Sequence, residues 1–157
     1  MKFLLFPLLI IVFLTACIKE APKTESVSEA TYDSSLAART GADKYGMRQY
    51  VMAFLKAGPN RDQDSTTAAE LQRAHLANIS RLAEEGKLVL AGPFMDDGEI
   101  RGIYIFDVKT NDEARKLTET DPAIKAGRLI MELHPWYGSA AVKEINSLHK
   151  KISQEDI

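Results

Sequence analysis

Between Gln49 and Leu133 the spacing of apolar side chains switches between a period of two and one near 3.6, in the order strand, helix, strand, strand, helix, strand. Side chains change face at every residue of a strand but return to one face each turn of a helix. This order therefore limits the folds open to the chain more than its composition does. Gln49 to Leu55 sets Tyr50, Met52 and Phe54 on one face and Val51, Ala53 and Leu55 on the other. That is the pattern of a strand covered on both sides or placed at a subunit interface. Lys56-Ala57-Gly58-Pro59-Asn60 ends it, and a polar loop leads to Ser65 or Thr66 as the N-cap of a long helix stopped by Gly86. Leu71, Leu82, His75 and Ile79 fall within about 80° of one another around this helix, so His75 lies inside the apolar stripe.

Leu88 to Ala91 and Gly102 to Val108 are two short β runs separated by the turn signal Met95-Asp96-Asp97-Gly98-Glu99, which predicts a hairpin. Thr110 or Asn111 caps a helix that runs through Thr118 with Ala114 and Leu117 inward, until Asp121-Pro122 breaks it. Ala123 to Gly127 adds one helical turn. Leu129 to Leu133 is the fourth strand, with His134-Pro135-Trp136-Tyr137-Gly138 as its end. Val142 to Lys151 reads as a C-terminal helix with Val142, Ile145 and Leu148 or His149 inward. The sum is an α+β chain: a ferredoxin-like βαββαβ antiparallel sheet with two helices on one face and an added C-terminal helix. Tyr50, Met52, Phe54, Ile103, Ile105 and Leu129 leave the other face apolar as well. Exposing such a face is costly, so the expectation is a homodimer of the dimeric α/β-barrel type.

The first residues do not belong to this domain. Met1 and Lys2 give a positive start, Phe3 to Leu14 is apolar apart from Pro7, and the small residues Thr15 and Ala16 follow. This is the order of a secretory signal. Twelve apolar residues rise only about 18 Å as a helix, short of the roughly 30 Å of a bilayer's hydrocarbon core. Leu14-Thr15-Ala16-Cys17 resembles the lipobox of bacterial lipoproteins. The resemblance implies that residues 1–16 are removed and that Cys17 carries the lipid. The alternative is that Cys17 is an accidental free thiol inside an ordinary signal peptide. Two or three acyl chains, at about 0.8 kcal/mol per buried methylene, would hold the chain to a membrane permanently. Ile18 in place of Asp resembles lipoproteins sent on to the outer membrane, which puts the domain in the periplasm. Residues 17–46 are rich in Ser, Thr, Glu, Ala and Lys and read as a flexible tether, with a short helix around Tyr32 to Arg39 as the alternative. The domain then spans residues 47–152, and 153–157 form a tail.

Composition narrows the chemistry. The 157 residues amount to one domain, and 20 Lys and Arg against 22 Asp and Glu leave no excess charge for nucleic acid. One cysteine excludes an internal disulfide and any multi-cysteine metal site. No HExxH, GxGxxG or Walker motif is present, so neither a metal nor a cofactor is expected. What remains is His75 inside the helix stripe and Asp121 at a proline-defined break. A histidine can exchange a proton near neutral pH, and a carboxylate on its other ring nitrogen fixes the tautomer. The bland alternatives are a hydrogen-bonded core histidine and a turn-initiating Asp-Pro. Gly92 and Trp136 are candidate substrate-binding positions, with a strand-ending glycine and core packing as the plainer accounts. Arg48, Arg101 and Arg128 are the arginines available to a substrate carboxylate, or else solvated charges.

Ala74-His75, Glu85-Gly86-Lys87-Leu88 leading to Ala91-Gly92-Pro93, Asp121-Pro122 before Ala126-Gly127, and a last strand ending near Pro135-Trp136 occur in this order over Met47 to Tyr137. Together they resemble the YCII-related (YciI-like) family of dimeric ferredoxin-like proteins. The resemblance implies a fold like that of muconolactone isomerases. It also implies, from one branch of the family, dehydrochlorination of a chlorinated hydroxyquinol. The family's proposed catalytic pair falls here on His75 and Asp121. The implied function is a lyase or isomerase acting on a small organic acid or phenol; the alternative is a non-catalytic domain that binds a small ligand or an envelope partner.

Overall fold

The structure, a computed structural model, describes residues 31–155. The signal segment, Cys17 and the first part of the tether lie outside the described residues.

The folded unit begins at Asp33 rather than near Met47. Helix α1 (Ser34–Thr40) is capped at its start by the Asp33 side chain, which accepts from the Ser35 and Leu36 N–H groups at 2.9 Å. Gly41, at φ 68°, closes its other end. Arg48 donates from Nη1 to the Thr40 carbonyl at 2.7 Å, and Arg39 pairs with Glu144 at 3.3 Å. Residues 33–46 are therefore not tether. Seven residues cannot hold a helix on propensity alone, and these contacts with distant parts of the chain supply what local composition does not.

Strand β1 (Met47–Ala57) lies between β3 (Ile100–Phe106) and β4 (Leu129–Ser139), while β2 (Leu88–Pro93) pairs with the outer side of β3. All neighbours are antiparallel and the order is β2-β3-β1-β4, the ferredoxin-like arrangement expected. Helices α2 (Ser65–Glu84) and α3 (Asn111–Thr118) supply Leu82 and Ala114 to one face, against Val51, Ala53, Leu55, Leu88, Tyr104 and Phe106. Each fully buried Leu or Phe of this core contributes about 1.5–3 kcal/mol. Helix α3 carries a complete capping box between Thr110 and Glu113.

β4 does not stop at Leu133. It stays paired with β1 from Leu129↔Ala57 to Ser139↔Met47, straight through Pro135. A proline inside a strand is tolerated here because β4 is an edge of the sheet, where the missing N–H needs no partner. Leu129 packs with the helices rather than on the far face. That far face is partly covered by the chain itself. A 3-10 turn over Ala140–Glu144 lays Val142 against the cluster of Tyr50, Val89 and Ile105, on which Trp136 also packs, and helix α5 (Ile145–Ile152) follows, with Asn146 donating to the Leu88 carbonyl at 2.8 Å. Leu148 and His149 are exposed on α5, not inward. Met52, Phe54 and Ile103 remain half-buried on this face, and Ile130 is exposed. Among the described residues no helix is long and apolar enough to cross a membrane.

Candidate active site

Helix α2 starts where Asp64 accepts from the Thr66 and Thr67 N–H groups. Three turns on, it presents His75, Asn78 and Leu82 to the interior, in the stripe the periodicity predicts. Asp121 enters from the opposite side, just ahead of the short helix α4 (Pro122–Lys125). Its Oδ1 accepts the Ala123 N–H at 2.8 Å and so caps α4, with Pro122 in the first helical position. Its Oδ2 accepts from His75 Nδ1 at 2.6 Å. The turn role and the histidine-holding role of Asp121 are thus filled by different oxygens of one carboxylate. Both side chains are buried, Asp121 completely and His75 with 6% of its surface exposed.

Tyr104 completes the row. Its Oη stands 3.3 Å from His75 Nε2, and its ring stacks on the imidazole at 6.3 Å and 19°. An ionised Asp121 can only accept, so Nδ1 carries the imidazole proton. In neutral His75 the lone pair of Nε2 then accepts from the Tyr104 hydroxyl. Burial, and after it the negative charge of Asp121, push the Tyr104 pKa far up, so this hydroxyl remains a donor. Beside the row, Thr120 donates to Asn78 Oδ1 at 2.9 Å, and Arg81 donates to Asn78 at 2.7 Å and to Thr120 at 2.9 Å. This network ties α2 to the residue before Asp121 and fixes the separation of the pair.

Nothing in the linear sequence distinguishes Tyr104 from a core aromatic. It alternates correctly with Phe106, and only the register Ala53↔Tyr104 and the placement of α2 bring its hydroxyl to His75. Gly92 and Trp136, by contrast, are not brought to the pair. Gly92 opposes Ile103 and Trp136 opposes Tyr50, on the sheet face away from α2, where the Trp136 and Tyr50 rings lie 5.7 Å apart. Cross-strand partners share a face, so both residues are separated from His75 by the sheet. Arg48 is also elsewhere, engaged by Asp107 and the Thr40 carbonyl. His134 meets Glu132 at 2.8 Å on the far face. Among the described residues no three His, Cys, Asp or Glu side chains converge as a metal site would require.

A cavity of about 400 Å³ is lined by Arg61, Gln72, Asp97, Arg101, Ala123, Arg128 and Leu129, with neither His75 nor Asp121 in its wall. Gln72 lies one turn before His75 on α2, and Ala123 is the residue whose N–H bonds Asp121.

The fold and the pair together define an α+β protein of ferredoxin-like topology whose first long helix seats a histidine on a buried carboxylate. Residues 49–137, more than half of the chain, match the model of the YCII-related domain, and the chain belongs to that family. Among solved structures it is similar to the 5-chloro-2-hydroxyhydroquinone dehydrochlorinase of Burkholderia phenoliruptrix AC1100 in complex with 2,5-dihydroxybenzoquinone. The two share 21% identity and a TM-score of 0.42, over 55% of this chain and 92% of that one. No curated protein matches the chain.

Proposed function

We propose that the protein is a lipid-anchored enzyme of lyase or isomerase type, in which His75 takes up or returns a proton on a small organic acid or phenol. The observation that carries this reading is the 2.6 Å contact between His75 Nδ1 and Asp121 Oδ2, made between two buried side chains. It holds the imidazole in the tautomer whose free lone pair is at Nε2, the form a general base requires. Asp121 acts through His75, orienting the ring and stabilising the imidazolium formed on proton uptake. Tyr104 occupies Nε2 until a substrate atom competes for it.

The same Tyr104 contact favours a second reading, a binding module in which His75 is a satisfied core residue. One experiment separates the two. The full chain, purified in detergent, is screened by thermal shift against small organic acids and phenols, and turnover of any hit is compared with His75→Ala. Loss of turnover in the variant is expected; hits that bind without being turned over would establish the binding module, and turnover unchanged in the variant would overturn the role of His75.

The rest of the proposal concerns location and assembly. Cys17 carries the lipid, the folded unit stands in the periplasm, and the anchor lies in the outer membrane. Release of the chain from membranes by Cys17→Ser is the corresponding test. A second copy covers Met52, Phe54, Ile103 and Ile130, the part of the far face that α5 leaves open. Light scattering on Phe54→Asp should then give the monomer mass.

A further inference from the structure

We infer that the cavity walled by Gln72 and Ala123 is an anion-binding subsite, in which Arg61, Arg101 and Arg128 hold the carboxylate or phenolate of a ring-sized organic acid. It rests on the proposed function only in taking the bound acid to be the substrate; the binding claim stands on the cavity alone.

Three guanidinium groups share one cavity, and Asp97 is the single acidic side chain among its lining residues. Asp97 is a poor counter-ion. It is fully exposed and stands 3.8 Å from Arg101, a contact worth little in water. Among the described residues neither Arg61 nor Arg128 has a carboxylate within 4.0 Å. Their hydrogen bonds go instead to neutral groups: Arg61 donates to the Arg128 carbonyl at 3.3 Å, and Arg128 to Gln63 Oε1 at 2.8 Å. Like charges collected without counter-charge repel one another, and this occurs in a chain whose net charge is −2. An anion supplied from outside removes the repulsion.

The backbone is also shaped to bring these arginines together. The β1–β3 register shifts between Leu55 and Lys56, so Lys56 opposes Ile100 and Arg101 has no partner on β1. A bulge of this kind re-aims a side chain, here to the wall shared with Gln72 and Ala123. The loop just before Arg61 is joined to the turn that carries Arg128 by backbone contact. Gly58 donates to the Arg128 carbonyl at 2.9 Å, and Asn60 to the Gly127 carbonyl at 3.1 Å. A Cβ at Gly58 would collide with the Gly127 carbonyl oxygen, so only glycine permits this approach. Ala123 and Leu129 give the cavity an apolar wall for the carbon part of the ligand. A volume of about 400 Å³ falls in the range of small-molecule sites. The guanidinium fork matches two coplanar oxygens, which favours a carboxylate.

The test is calorimetric titration of the full chain in detergent with salicylate, with salicylamide as its neutral counterpart and with inorganic phosphate. Salicylate is expected to bind at least about tenfold more tightly than either. Its affinity should fall about tenfold or more in Arg101→Gln and in Arg128→Gln, the loss of one charge-assisted hydrogen bond. Where a glutamine variant does not fold, Arg→Lys at the same position keeps the charge, loses the fork and should still weaken salicylate severalfold. No measurable salicylate binding, equal binding of salicylamide, tighter binding of phosphate, or unchanged affinity in the arginine variants would overturn the subsite. If the arginine variants bind salicylate normally while His75→Ala abolishes turnover, the subsite falls and proton transfer stands. If the arginine variants lose salicylate while His75→Ala turns over normally, the reverse holds.

Discussion

Asp121→Asn keeps the shape of the side chain and removes its charge, and its consequences can be worked through atom by atom. In the native protein Oδ1 accepts the Ala123 N–H at 2.8 Å and Oδ2 accepts from His75 Nδ1 at 2.6 Å, with no part of the residue in water. An asparagine has one acceptor oxygen and one donor NH2. With its oxygen on His75, the NH2 would face the Ala123 N–H, leaving buried donors unmatched at about 1–3 kcal/mol. With its oxygen on Ala123, the NH2 faces Nδ1, which must then be bare, and the ring proton moves to Nε2. The second arrangement is cheaper, so the histidine changes tautomer. It exchanges a charge-assisted bond of about 1.5–3 kcal/mol for a neutral one of about 0.5–1.5, a net loss of about 1–2 kcal/mol. In a domain of this size that lowers the melting temperature by about 3–10 °C. Nε2 becomes a donor and the general base is lost, which lowers kcat by about 10²- to 10⁴-fold. Ring-nitrogen NMR reads the tautomer directly, and a thermal melt reads the stability. A variant that keeps the Nδ1-protonated ring and melts with the native protein would refute the claim that Asp121 sets the state of His75.

Tyr104→Phe removes the 3.3 Å bond to Nε2 and leaves that buried acceptor unmatched, which should cost about 1–3 kcal/mol in a thermal melt. In the native protein the raised Tyr104 pKa keeps its hydroxyl protonated, and burial raises that of Tyr50 as well, so at least one tyrosine should resist ultraviolet titration until the chain unfolds in alkali, and one fewer in Tyr104→Phe. Gly58→Ala forces the β1–α2 loop off the Gly127 turn and should cost about 1–3 kcal/mol, read by denaturant unfolding, while weakening salicylate binding. Hydrogen bonds to the Lys109 N–H and the Thr110 side chain hold Glu113 below its usual 4.5. Backbone and side-chain bonds from Thr67 likewise hold Asp64 below 3.8. Lowered folded values mean stability that is complete above the usual pKa and lost as pH falls through the folded one. The melting temperature should therefore drop below about pH 4, with a shallower slope in Glu113→Gln.

The architecture was legible because it depends on local signals. The change from period two to 3.6, Gly86 after α2 and Asp121-Pro122 before α4 each act within a few residues, and the βαββαβ order follows from them. The pairing of His75 with Asp121 came from the family resemblance together with the helix stripe, and the two side chains do meet. What pairing and packing decide was not legible. The face on which Gly92 and Trp136 lie depends on registers set by β3 and β1. Helix α1, which the sequence offers around Tyr32 to Arg39 only as the alternative to a tether, is held by Arg48 and Glu144, residues far along the chain or beyond its own turn. Arg61 reads as one polar loop residue among several until the Gly58–Gly127 contact sets it beside Arg128. The extension of β4 past Pro135 needed the knowledge that β4 is an edge.

Proton transfer at His75 is tested most directly by hydrogen exchange. Proton NMR in deuterated water, with the full chain and a panel of small organic acids and phenols, follows exchange of carbon-bound hydrogens adjacent to the acidic group. The native protein should incorporate deuterium into at least one compound, at a rate at least about a hundredfold above that of His75→Gln. Equal exchange by native and variant protein, or none by either, would contradict it.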